Sequence, residues 1–226
     1  MGYIIVIEGT DGSGKATQSE QLKNRLERDG YNVIRQSFPN YDSLSSAPVK
    51  MYLGGEFGDN DKSMDAYQAS VLYAVDRLCT YQKSLKDFYE NDGVIIFDRY
   101  VESNMLHQAG KIEDRNELDK YLAWLDNLEF DLLKLPRANM VVFLDVPVEK
   151  SIELARSRDV NKSSLSKDIH ENSDGHLQNA YRAGKYVGNK RGWNFVNCIK
   201  DENLRQVEDI ADEIYNLVSR KLKEVK

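Results

Sequence analysis

Short apolar runs alternate along this chain with stretches whose apolar residues recur every three to four positions. The candidate strands are Tyr3–Ile7, Tyr31–Ser37, Gly93–Phe97, Asn139–Asp145 and Asn194–Cys198. Continuous apolar runs of this length predict strands buried on both faces. Helical spacing covers Lys15–Arg28, Ser63–Tyr89, Asn116–Leu128 and Val148–Arg156. The last helical stripe is Leu204, Val207, Ile210, Ala211, Ile214, Leu217 and Val218. The alternation predicts an α/β fold, with five parallel strands and helices on both faces. Ligands in such folds bind beyond the carboxyl ends of the strands. The 226 residues read as one domain, 1–226, with insertions at about 38–61 and about 156–168. The first reads as structure that covers a substrate, the second as a short mobile lid.

Composition narrows the class. A net charge of −6 excludes a general nucleic-acid coat protein, so any polyanion site is local. No run of apolar residues is long enough to predict a membrane span. The opening "MGYIIVIEG" is too short and too acidic for a signal peptide. Cys79 and Cys198 stand far apart without metal spacing, which predicts reduced thiols in a cytoplasmic protein.

The first strand runs into "GTDGSGKAT", which fits the phosphate-loop pattern G-x-x-x-x-G-K-[ST] through Gly9, Gly14 and Lys15. A buried strand before it and a helix after it are the context that the mechanism requires. Backbone N–H groups at the helix start wrap an anion there, and Lys15 adds charge to the β and γ phosphates. This predicts a fold of the P-loop NTPase type. Ala16 replaces the hydroxyl that ordinarily binds magnesium. Magnesium tolerates that loss because it keeps waters and leans on phosphate oxygens. Thr17 points about 100° away from position 16 on a helix and is placed to reach an α-phosphate instead. The strand "GVIIFD" ends in Asp98, whose carboxylate suits magnesium or a magnesium-bound water.

Arg99 follows at the same strand end. Beside a phosphate loop it suits an acceptor that is itself anionic, or it serves in a structural ion pair. Tyr73 and Arg77 share a helix face, as do Asn104, His107 and Gln108 if that segment is helical. With Phe38 and Tyr41 past the second strand, they compose a pocket for a planar base. Arg156 and Arg158 open the lid, where positive charge stabilises a transferring phosphoryl group or is simply solvated. Asp168 and Glu171 beyond the lid either reach metal-bound water or a ribose hydroxyl, or stabilise a helix N-terminus.

Together these residues resemble the thymidylate kinases, P-loop enzymes that phosphorylate dTMP. The resemblance runs through "EGTDGSGKATQ", "FPNY", "YLGGEFGD", "YAVDR", "DRYVESN" and "LEFDLLKLPRANMVVFLDVP". It implies ATP as co-substrate, Mg2+ as cofactor and a homodimer, with neither a nucleic-acid polymer nor a membrane as partner. It implies that Gly9, Thr10, Asp11, Gly12, Ser13, Gly14, Lys15, Ala16 and Thr17 bind ATP. Phe38 and Tyr73 then flank thymine, with Arg77 and Asn104 on the base and Gln108 nearby. Arg99 and Tyr41 hold the dTMP phosphate, and Asp11 places the acceptor near its 3′-hydroxyl. Asp98 organises magnesium, with Asp11 and Glu171 directly or through water. The family draws an essential arginine from the glycine loop or the lid. Here Gly12 and Ser13 occupy the loop positions, so Arg156 or Arg158 is the expected source. His107 stands where relatives often carry Tyr, on the side facing the sugar 2′ position, which leaves open how strictly deoxyribose is selected.

Two other readings remain at this point. One is a kinase for another nucleoside monophosphate or a deoxynucleoside. The other is a non-catalytic nucleotide-binding relative. A guanine switch is disfavoured, because "NKSS" and "NKRG" lack the aspartate of N-K-x-D.

Overall fold

The computed structural model describes residues 1–58, 60, 63–159 and 174–225. Five strands form one parallel sheet: β1 Tyr3–Glu8, β2 Val33–Ser37, β3 Val94–Asp98, β4 Met140–Asp145 and β5 Asn194–Asn197, ordered β2-β3-β1-β4-β5. Ile4 and Val6 of β1 join Ile95, Phe97, Val141 and Phe143 in one core. Tyr3, Ile5 and Ile7 join Val94, Ile96, Val142 and Leu144 in the other. A period of two thus divides each apolar run between two cores, which is why the runs are uninterrupted.

The helices in chain order are α1 Lys15–Arg28, α2 Ala47–Leu53, α3 Ala66–Thr80, α4 Lys86–Glu90, α5 Val101–His107, α6 Arg115–Asp126, α7 Val148–Asp159, α8 Asp174–Arg191 and α9 Val207–Val225. One sheet face is covered by α1 and α9, through Leu22, Leu26, Ile210, Ile214 and Val218. The opposite face is covered by α5, α6 and α8, through Met105, Leu106, Leu122, Leu125, Ala180 and Val187. The register sets Ile7 and Ser37 beside Asp98, so the carboxyl ends of β1, β2 and β3 open on one edge. The expected P-loop NTPase-type α/β architecture is present, and among the described residues no helix is long and apolar enough to cross a membrane.

Several boundaries differ from the sequence pattern. The helix expected over Ser63–Tyr89 starts at Ala66, where Asp65 and Gln68 form a reciprocal capping box. It continues through a π-helical turn, Tyr81–Leu85, into α4. The last helix starts only at Val207, which is exposed, and Leu204 lies outside it. Ile199–Lys200 and Asn203–Leu204 pair there as a small antiparallel hairpin, β6 and β7, turned by Asp201 and Glu202 at positive φ. The pattern assigned no helix to 174–191, because glycines interrupt the apolar stripe of α8. Gly184 is there for close approach: a Cβ would come within 2.9 Å of both Leu106 and the Phe143 ring.

The insertion at about 38–61 carries a 3-10 turn, Leu44–Ser46, and α2. It is tied down by Lys111 Nζ, which donates to Tyr52 Oη at 2.9 Å and to the Met64 carbonyl at 2.9 Å. The expected lid starts inside α7, and beyond residue 159 it lies outside the described residues.

Candidate active site

The loop between β1 and α1 turns on glycines in backbone conformations that L side chains rarely adopt. Gly9 has φ 150°, Gly12 83° and Gly14 91°. At Gly9 space is limiting as well, since a Cβ would sit 2.6 Å from Ser13 Oγ. Lys15 starts α1, and its buried ammonium donates to the Gly9 carbonyl at 2.9 Å and the Thr10 carbonyl at 2.7 Å. Burial, followed by the nearby Arg99 charge, pulls the Lys15 pKa down to about 8. Ser13 Oγ is buried without a hydrogen-bond partner among the described residues. Thr10 Oγ1 meets Ser151 Oγ at 3.0 Å, which ties the loop to α7. Ala16 and Thr17 are exposed at the start of α1.

Arg99 stands at the end of β3 with φ 71°, a strained conformation for a non-glycine residue. Its guanidinium donates to Asp11 and to Ser103 Oγ at 3.3 Å, and lies 3.1 Å from His107 Nε2. Glu8 adds a second carboxylate 3.8 Å away. Glu8 is fully buried, and burial raises its pKa against the opposing pull of Arg99 and Lys15. It also accepts from the Gly9 N–H at 3.1 Å and from Ser103 at 2.8 Å. Burial acts to raise the Asp11 carboxyl, but Arg99 and then His107 outweigh it and hold the carboxyl well below the usual range. Half of the Asp11 side chain remains exposed at the mouth of the cleft.

One cleft, open to solvent on one side, is lined by Asp11, Phe38, Tyr41, Tyr73, Arg77, Arg99, Asn104, His107 and Gln108. These are all nine residues expected to bind the acceptor nucleotide, drawn from five separate segments of the chain. Phe38 is braced by Phe97 and Tyr100, with ring centroids 5.5 and 6.2 Å away. Asn104 Nδ2 lies 3.4 Å from the Ser70 carbonyl, and Gln108 Oε1 is buried without a partner among the described residues.

Sequence reasoning missed the partners that fix these groups. Arg77 is 1% exposed and forms a two-pronged pair with Glu129, which is 0% exposed. Its Nη1 donates to the Tyr100 carbonyl at 3.3 Å, so three of its five N–H donors are engaged. The available signal was an acid set between Leu128 and Phe130. Arg35 on β2 donates to Asp98 Oδ2 at 2.8 Å and to Ser19 Oγ at 2.7 Å. One oxygen of the expected magnesium carboxylate therefore already carries an arginine. Glu8, Ser103 and His176 are the other residues missed around Arg99. Of the remaining expected residues, Arg156 and Arg158 belong to α7, but their side chains lie outside the described residues, as does Glu171.

Among the described residues no group of three or more His, Cys, Asp or Glu is placed to hold a metal ion. The described residues thus offer no dedicated cage. Asp98 retains lone pairs beyond the one that Arg35 takes. That suits a magnesium ion that arrives on nucleotide phosphates and keeps most of its waters.

Comparison with known proteins agrees with this geometry. The thymidylate kinase family model matches residues 7–210. The chain is 33% identical to the thymidylate kinase of Mycobacterium tuberculosis (strain ATCC 25618 / H37Rv) over 176 residues, 77% of this chain and 80% of that one. It is 30% identical to the probable thymidylate kinase of Thermococcus gammatolerans over 224 residues, 98% of each chain. A family match over nearly the whole length, on a chain whose glycine loop and polar cleft share Asp11, shows that this chain belongs to the thymidylate kinase family.

Proposed function

We propose that this protein transfers the γ-phosphoryl group of ATP to dTMP, giving dTDP and ADP. The observation that carries this reading is the single cleft holding all nine acceptor residues beside the glycine loop. In this reading the loop from Gly9 to Thr17 cradles ATP, and a phosphate oxygen relieves the unpartnered Ser13 hydroxyl. Lys15 neutralises the β and γ phosphates. Phe38 stacks on thymine and Tyr73 closes its edge, while Arg77, Asn104 and Gln108 meet the polar atoms of the base. Arg99 and Tyr41 hold the acceptor phosphate in line, and Asp11 and His107 line the sugar. Little covalent chemistry is asked of these groups, because positioning and charge dominate phosphoryl transfer. A lid arginine, Arg156 or Arg158, supplies further charge to the transferring group. Magnesium, when bound, screens the phosphate charge, and Asp98, Asp11 and Glu171 are the carboxylates that would hold it, directly or through water.

A panel of acceptors tests the reading. With ATP as donor, dTMP is expected to exceed dUMP in kcat/KM by about tenfold or more, the worth of one well-packed methyl group. It should exceed AMP and thymidine by a wider margin. AMP or thymidine matching dTMP would remove the assignment.

We also propose a homodimer formed through α3, in a cytoplasmic enzyme with neither a nucleic-acid polymer nor a membrane as partner. Val71 and Val75 are 41% and 40% exposed, and exposed Cys79 continues their stripe one turn on. Both cysteines are free thiols, in keeping with a reducing compartment. Sedimentation should give a dimer for the wild type and a monomer for Val75→Glu. A wild type that stays monomeric at high concentration, or a variant that stays dimeric, would overturn the assignment.

A further inference from the structure

We propose that His176 is a positioning residue for Arg99, acting through His107. Arg99 Nη1 lies 3.1 Å from His107 Nε2. A guanidinium only donates, so His107 Nε2 must be the bare acceptor. A neutral imidazole then carries its single proton on Nδ1. That nitrogen lies 3.1 Å from His176 Nε2, so His107 donates there and His176 accepts. The proton of His176 is thereby assigned to its own Nδ1. The relay has one direction, from Arg99 to His107 to His176.

The surroundings favour this order. His176 is 3% exposed, and the two rings lie within 19° of parallel with centroids 5.3 Å apart. His107 lines the cleft and His176 does not, so the hydrogen-bond route from His176 to Arg99 runs through His107. Among the described residues, the charged groups around the pair are Arg99, Asp11, Glu8 and Lys15. Without an acceptor at position 176, the Nδ1–H of His107 loses its contact with His176, which weakens the preference for this tautomer that Arg99 sets. The other tautomer aims an N–H at the N–H of Arg99, and two donors then face each other. Arg99 would keep Asp11 and Ser103 but lose its contact with His107. A partner that fixes the tautomer of a functional histidine is a recurring device. Packing alone would be served as well by an apolar side chain.

The test reads ring-nitrogen NMR and steady-state kinetics together. In the ligand-free wild type, both histidines are expected to show protonated Nδ1 and bare Nε2. His176→Leu should shift His107 toward the Nε2–H form. It should also raise the KM for dTMP about 3- to 10-fold, the worth of one hydrogen bond, with a much smaller change in kcat. His176→Gln offers an amide oxygen and should restore both the tautomer and the KM. A protonated His107 Nε2 in the wild type would overturn the proposal. So would a Leu variant with wild-type tautomer and KM, or a Gln variant no better than Leu. If the Leu variant does not fold, the wild-type spectrum and the Gln variant decide. The kinetic arm rests on dTMP as acceptor. The tautomer is read without any nucleotide, so failure of that reading and failure of the relay are distinguishable.

Discussion

Arg99→Ala is expected to lower kcat/KM for dTMP by about 10²- to 10³-fold, the usual cost of removing one preorganised charge from a transferring group. Burial opposes the Arg99 charge, but Asp11 and Glu8 outweigh it and raise its pKa, so the guanidinium is a permanent cation. It is aimed by contacts to Asp11, Ser103 and His107. Alanine removes the charge and leaves these three facing a void. The backbone conformation, at φ 71°, is equally unfavourable for either residue, so the fold should lose little through the main chain. Arg99→Lys is the informative companion. It keeps the charge but not the planar fork, and should recover only a small part of the activity. Turnover and circular dichroism of both variants check this. A loss below about fivefold in a folded Arg99→Ala protein would take Arg99 out of the acceptor site.

Glu129→Ala should be the costliest single change in the core, at about 3–5 kcal/mol, because it leaves a buried guanidinium without its counter-charge. Arg77 and Glu129 are 1% and 0% exposed, so water cannot substitute for the lost carboxylate. Replacing both, as Arg77→Met with Glu129→Leu, should recover most of the stability while abolishing tight dTMP binding. Urea unfolding midpoints of the three variants, with dTMP titrations of the double variant, separate the two roles. A Glu129→Ala protein within about 1 kcal/mol of wild type would show that the pair is not holding this region. A double variant that still binds dTMP normally would remove Arg77 from the base contacts.

These two predictions also mark what the sequence could and could not disclose. The sheet was legible because strands covered on both faces need apolar residues at nearly every position, as in "YIIVI". The phosphate loop was legible because its chemistry is local, confined to Gly9 through Lys15. The cleft residues were legible by type, and the fold brings them to one place. Their supports were not. Glu129 lies 52 residues from Arg77, Arg35 lies 63 from Asp98, and His176 lies 69 from His107. No periodicity connects such pairs, since only the folded topology makes them neighbours. The α8 helix was missed for a related reason. Gly184 lowers helix propensity locally, yet it is the residue that lets the helix reach Leu106 and Phe143.

The missing hydroxyl at Ala16 gains a physical setting. In the proposed reading, magnesium coordination falls to phosphate oxygens, water and the Asp98 carboxylate, which Arg35 contacts at 2.8 Å. That arrangement makes the acceptor half of the site, rather than a metal cage, the part that identifies the chemistry. A crystal structure with dTMP bound tests it most directly. The account predicts thymine against Phe38, with Arg77 and Asn104 within hydrogen-bonding distance of its edge and the phosphate on Arg99. Density for dTMP elsewhere, or with the phosphate turned away from Arg99, would contradict it.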